Sequence, residues 1–134
     1  MKPKYPHMRI WEETIMDRFH DMHILEGKWS YDVHLQVRKP DIPKYQSENE
    51  RIMWLTNIAK KADAVCETPA EIYAIEVKTY LRPSAVGQAL TYKILYEEQF
   101  KPTKPVIAAI IARFGNKDMQ HICDVYNIKT WVIG

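Results

Sequence analysis

The sequence predicts an α/β fold in which a mixed central sheet is flanked by helices. Three observations lead there. Helical and strand-like periods alternate along the chain. Two strand-like runs, about 61–67 and 72–79, are separated only by the turn Thr68-Pro69-Ala70. A continuous apolar run, VIAAIIA at 106–112, is bounded by breakers, as a strand covered on both faces requires. With 134 residues there is room for one core but not two ordinary ones, so residues 1–134 are read as one domain.

The first element is an amphipathic helix over about Ile10 to His23. Met8, Trp11, Ile15, Phe19 and Met22 form its apolar stripe at a period of 3.6. Glu12 borders that stripe, whereas Glu13 points to water. Gly27 breaks the helix. WSYDVHLQV then alternates, with Trp29, Tyr31, Val33, Leu35 and Val37 on one face of a half-buried strand. A polar loop with two prolines spans 38–50, and 50–58 reads equally as a short helix or an irregular lead-in. After the hairpin, Ser84 is a candidate N-cap for a helix running to Phe100, stopped by Pro102 and Pro105. Beyond the buried strand, 116–126 is a last helix with Asn127 as C-cap, and IKTWVI is a closing strand.

The longest apolar run is far short of the roughly 20 residues of a membrane helix. The first residues lack the apolar segment of a secretory signal, so a soluble chain in the cytoplasm is expected. Cys66 and Cys123 form neither a CxxC pair nor a four-cysteine set, which excludes a zinc ribbon or a cysteine-held cluster. Both read as small buried hydrophobes. A net charge of +2 says little about partners. Its distribution says more, because Lys60, Lys61, Lys78, Arg82 and Lys93 gather around one acidic motif.

That motif is Asp63…Glu76-Val77-Lys78. Side chains alternate along a strand, so Glu76 and Lys78 share one face while Ile75 and Val77 pack opposite. Across an antiparallel hairpin Asp63 comes near them. Two adjacent carboxylates repel, and Mg²⁺ or Mn²⁺ relieves the repulsion with hard oxygen ligands. Lys78 could orient or deprotonate a water, or stabilise charge on a phosphorane. On the next helix Gln88 and Tyr92 are four apart, hence on one face, with Gln99 on the same side. Taken singly, an E-x-K in a strand is more often a solvated face, and a tyrosine such as Tyr92 more often a core edge.

Asp63, Glu76-Val77-Lys78 and Gln88-Ala89-Leu90-Thr91-Tyr92 resemble the D…ExK…QxxxY series of the PD-(D/E)XK nuclease superfamily, on its RecB-like side. The wider pattern is similar to small phage and viral nuclease-like proteins. The resemblance covers about 10–112 and implies an αβββαβ core, extended here by a C-terminal helix and strand. It implies that Asp63 and Glu76 ligate Mg²⁺ or Mn²⁺, with the Val77 backbone carbonyl as a third oxygen. Lys78 would be the catalytic lysine, with Gln88 and Tyr92 supporting the site or the DNA. An acidic residue of the first helix often joins such sites, which makes Glu12 a candidate, and some relatives use a histidine, here His20 or His23. Were the chain viral, its cytoplasm would be the host cell's. Two departures stand out: Ala62 occupies the place of the first-motif proline, and the four-cysteine cluster of some relatives is absent.

The leading expectation is therefore a metal-dependent deoxyribonuclease whose phosphate contacts are Lys60, Lys61, Arg82 and Lys93. A Holliday-junction or other branched-DNA resolvase is the nearest alternative. A non-catalytic DNA- or protein-binding module on the same fold is the rival from another class. A homodimer or a partner protein is expected to supply target recognition, because so small a core has little spare surface.

Overall fold

The computed structural model describes residues 5, 8–38, 47–52 and 60–134. Helix α1 (Ile10–Asp21) leads into β1 (Lys28–Leu35), and the hairpin is β2 (Lys60–Glu67) and β3 (Ile72–Tyr80). Then follow α2 (Pro83–Phe100), β4 (Val106–Phe114), α3 (Lys117–Val125) and β5 (Lys129–Val132). The strands form one five-stranded sheet in the order β1-β2-β3-β4-β5. β1–β2 and β2–β3 are antiparallel, whereas β3–β4 and β4–β5 are parallel, so the sheet is mixed. The parallel pairs need crossovers, and α2 and α3 supply them. The loop expected over 38–50 falls mostly outside the described residues, as does most of the 50–58 lead-in; the described residues 48–52, which span the end of one and the start of the other, are helical.

Helices cover both faces of the sheet. Against one, α1 sets Ile15, Met16 and Phe19 on Ala64, Ile75, Val77, Ala109 and Ile111. Against the other, α2 and α3 bury Ala85, Ala89 and Cys123 on Ala108, Ile110 and Ala112. β4 is thus sandwiched, which is why its sequence is a continuous apolar run. No helix among the described residues is long and apolar enough to cross a membrane.

Local chemistry sets the element ends. Pro83 occupies the first turn of α2, where its missing N–H costs nothing, so Arg82 and not Ser84 is the N-cap. Asn116 caps α3 by accepting from the Met119 N–H at 3.1 Å. Its C-cap is Tyr126; Asn127 lies one place further on, in the left-handed region at φ 57°. Asn127 N–H reaches Asp124 O and Ile128 N–H reaches Cys123 O, which closes the helix as a Schellman motif. The hairpin loop runs to Glu71, whose carbonyl accepts the Thr68 N–H at 2.8 Å. Gly27 is more than a helix breaker. A Cβ there would run into the Glu67 carbonyl and stand 2.9 Å from Cys66 Sγ, so β1 can enter the sheet only with a glycine.

The stripe on α1 differs from expectation. Met8, Ile15 and Phe19 are buried, but Trp11 is 66% exposed and Met22 51% exposed. Met16 takes the buried place, so the covered face is rotated away from Trp11, and Glu13 is half-buried instead of facing water. On β1 the alternation holds only partly: Asp32 has φ 50°, Trp29, Tyr31 and Asp32 are all half-buried, and Val37 lies exposed beyond the strand. Cys66 and Cys123 are buried free thiols, and burial pushes the Cys66 thiol up to about 11.

Candidate active site

β2 and β3 pair regularly from Glu67↔Ile72 to Ala64↔Ile75, and there the ladder stops. One step further, the same register would set Asp63 opposite Glu76. On the other side, the β1–β2 ladder also passes over its Asp32/Asp63 position, where Asp32 takes its positive φ. Both ladders therefore break at Asp63. The Asp63 carboxylate replaces the lost strand bond by accepting the Val77 N–H at 2.9 Å. A side chain doing a backbone's work splays the strands and aims the carboxylate at β3.

Ile75 and Val77 pack against the α1 side, so Glu76 and Lys78 face the side that carries α2. Glu76 is the one buried charged residue of the described core, only 2% exposed. Lys78 Nζ lies 3.5 Å from Glu76 Oε2 and keeps partial contact with solvent. Burial, then the neighbouring Asp63, pushes the Glu76 carboxyl far above the usual carboxylate range, against the opposing pull of Lys78. Burial also raises Asp63, with the charge of Glu12 adding to it, while the Val77 N–H and Lys78 oppose the rise. The two carboxyls are thus electrostatically linked, each acting on the other's ionisation. Without a cation this pair holds a proton at neutral pH.

α2 brings the expected Gln88 and Tyr92 to the same neighbourhood. Burial and then the charges of Glu76 and Asp63 lift the Tyr92 phenol to about 12, so it stays a neutral donor. Gln88 Oε1 is buried with no hydrogen-bond partner among the described residues. A buried acceptor left open asks for an explanation. Gln88 and Tyr92 line a cleft of about 350 Å³ together with Lys60, Ser84, Gly87 and Thr91. A second, larger cleft of about 610 Å³ lies at the carboxyl ends of β3 and β4 and is lined by Lys78, Glu12, Arg82 and Ser84 among others. The two clefts share Ser84, and Lys78, the neighbour of Glu76, lines the larger one.

Other expected residues lie elsewhere or are otherwise engaged. Lys93 pairs with Glu97 at 3.1 Å along the helix, and Lys61 is half-buried opposite His34. Lys60 and Arg82 are exposed, one at each cleft. Gln99 is a staple: it accepts from the Gln36 N–H at 2.8 Å and donates to His34 O at 3.1 Å, tying α2 to the end of β1. His20 sits among Tyr5, Trp29 and Tyr31, with Nε2 2.7 Å from the Tyr31 hydroxyl, and burial lowers its pKa. His23 pairs with Glu26 at 3.0 Å on the surface. Neither histidine reaches the carboxylates.

Comparison with family models, curated proteins and solved structures yields no match. Function rests on the site itself.

A hard divalent cation fits that site by its donor chemistry. Two linked carboxyls whose ionisation is opposed by burial and by each other are the hard oxygen donors such a cation takes. Among the described residues no three His, Cys, Asp or Glu side chains converge, so the side-chain set is the pair. Glu12 is felt by Asp63 electrostatically, but its Oε2 accepts the Arg9 N–H at 3.3 Å. Val77 touches Asp63 through its N–H, a different atom from the expected carbonyl. Sequence reasoning missed the residues that finish the larger cleft: Arg9, Trp11, Tyr80, Arg113 and Phe114. Their one signal was an aromatic within two residues of an arginine, at Arg9-Ile10-Trp11, Tyr80-Leu81-Arg82 and Arg113-Phe114.

Proposed function

We propose that this chain is a metal-dependent deoxyribonuclease that hydrolyses phosphodiester bonds on a PD-(D/E)XK core of RecB-like type. The observation that carries the reading is the pairing of half-buried Asp63 with buried Glu76, made by breaking the sheet at Asp63, with Lys78 Nζ 3.5 Å from Glu76. Burying one carboxyl beside a half-buried second and interrupting two ladders lowers stability, and such departures from good folding practice concentrate at functional sites.

Asp63 and Glu76 would hold Mg²⁺ or Mn²⁺, with the Val77 carbonyl as the expected third oxygen, and the cation supplies Lewis acidity toward phosphoryl oxygens and an activated water. Glu76 would bind the cation as its carboxylate, the form that ligates. Lys78, beside the carboxylates, would neutralise charge that develops on the phosphoryl group. Tyr92, held neutral, donates a hydrogen bond into the site, and Gln88 Oε1 accepts one from the substrate or a water. Lys60 and Arg82 hold phosphates on either side.

The test is incubation of the purified chain with linear, circular, single-stranded and branched DNA in Mg²⁺, Mn²⁺ or EDTA. Cleavage with Mn²⁺ is expected, with none in EDTA or for Glu76→Ala and a strongly reduced rate for Lys78→Ala. The reading fails if Mn²⁺ supports no cleavage, or if cleavage survives both substitutions. The branched substrate separates a resolvase from a general nuclease.

A further inference from the structure

The larger cleft is built in a way that two carboxylates and a lysine do not require. Tyr80 and Phe114 are partners across the parallel β3–β4 pair, and their rings stack at 5.3 Å between centroids with 24° between planes. The Arg82 guanidinium lies 5.0 Å over the Tyr80 ring, and that of Arg113 lies 5.0 Å over Phe114. Four flat groups thus form a continuous row, yet Tyr80 remains 50% exposed and Phe114 43% exposed. Across the cleft α1 presents Trp11, 66% exposed, and Arg9. Large exposed rings interleaved with arginines, beside a candidate phosphodiester site, are not explained by packing.

We infer that this cleft binds an unpaired polynucleotide strand, its bases packing on the Trp11 ring and on the exposed flank of the Tyr80–Phe114–arginine group and its phosphates meeting Arg9, Lys78, Arg82 and Arg113. The inference deepens the nuclease reading and rests on it for the claim that the bound strand is the substrate. Bases in a duplex are already stacked and present only their edges, so exposed aromatic side chains gain little from duplex DNA. Unstacked bases offer π-faces, which aromatic rings and guanidinium planes take up without regard to sequence. The cleft holds four cationic side chains, Arg9, Lys78, Arg82 and Arg113, against the single carboxylate of Glu12, which suits a phosphate backbone. Geometry also ties the row to the chemistry. Glu76, Lys78 and Tyr80 alternate along one strand, so the ring stands about 6.6 Å beyond Lys78 on the same edge of the sheet. A strand lying on the row passes Lys78 and continues over Ser84 toward Lys60 and Tyr92.

The test measures fluorescence anisotropy with the full-length Glu76→Gln chain in EDTA, so that neither metal nor cleavage enters. The probes are an oligothymidylate, an oligouridylate, a blunt duplex of equal length and a single mononucleotide. The unpaired strands should bind about tenfold more tightly than the duplex, and Tyr80→Leu with Phe114→Leu should remove that advantage. Tyr80→Trp with Phe114→Trp should keep it, which separates stacking from damage to the fold. The DNA and RNA arms tell which sugar is preferred. Equal or tighter duplex binding, indifference to the leucine pair, or binding of the mononucleotide alone overturns the inference. If single-strand binding passes this test while the active chain cuts nothing with Mn²⁺, the inference stands as strand binding and the nuclease reading falls. If the active chain cuts duplex DNA and the leucine pair changes nothing, the reverse holds.

Discussion

β2 and β3 are one hairpin with two unlike halves. At the turn, four consecutive pairs from Glu67↔Ile72 to Ala64↔Ile75 keep their ladder, and Ala64, Val65, Cys66, Ala74 and Ile75 are buried hydrophobes. At the other end the ladder opens at Asp63, and a buried glutamic acid stands where an apolar residue would be more stable. The residues differ by a few positions, but the physical roles are opposed. The turn half gains free energy by burial, and the open half loses it by burying groups that need charge. A sheet can carry such a loss only where a well-packed half anchors it.

The largest effect should come from breaking the open half chemically. Lys78→Ala should lower the Mn²⁺-dependent cleavage rate by about 10²–10³-fold, the usual cost of one transition-state donor, and initial rates on labelled DNA check it. Its thermal midpoint should move little, because Lys78 is partly exposed. The turn half should behave in the opposite way. Ile75→Ala removes a fully buried side chain and should cost about 2–5 kcal/mol in urea unfolding, with the site's chemistry retained in the folded fraction.

A smaller effect of opposite sign is expected from Glu76→Gln. Both carboxyls have folded values raised above their unfolded ones by burial, Glu76 the more. The folded chain therefore binds more protons than the unfolded one once pH exceeds about 4, and stability falls as pH rises through neutrality toward the raised values. The full contribution is present only below the unfolded carboxylate range. In EDTA at pH 8, Glu76→Gln should thus raise the midpoint by about 3–5 °C per kcal/mol gained and flatten its decline with pH. Calorimetric melts across pH 4–9 would contradict this by showing wild-type stability constant or rising in EDTA. The smallest effect should be that of Gln99→Ala, about 1 kcal/mol from two hydrogen bonds to β1, with catalysis unchanged.

How far the sequence could be read follows the same division. β3, β4 and the hairpin were legible because alternation and continuous burial leave strong periods. Asp63, Glu76 and Lys78 were legible because two strand faces and a short turn constrain them. The rotation of α1 was not. Met16 and Trp11 flank one wide stripe, and a helical wheel cannot say which flank the sheet covers. The Tyr80–Phe114 row was hidden for another reason. Its rings lie on strands joined by an 18-residue helix and become neighbours only through the parallel register. Gln99 looked like a site residue because it shares a helical face with Gln88 and Tyr92. Three turns along that helix, the face has already passed from the site to the end of β1.

The central claim is that Asp63 and Glu76 share one divalent cation, and Mn²⁺ titration calorimetry tests it most directly. Run near pH 7 in buffers of different ionisation heat, it should show a single site with net proton release, the proton being the one Glu76 holds without metal. Glu76→Gln and Asp63→Asn should each abolish that binding. Unchanged binding in both variants, or no binding by the wild-type chain, would contradict the account.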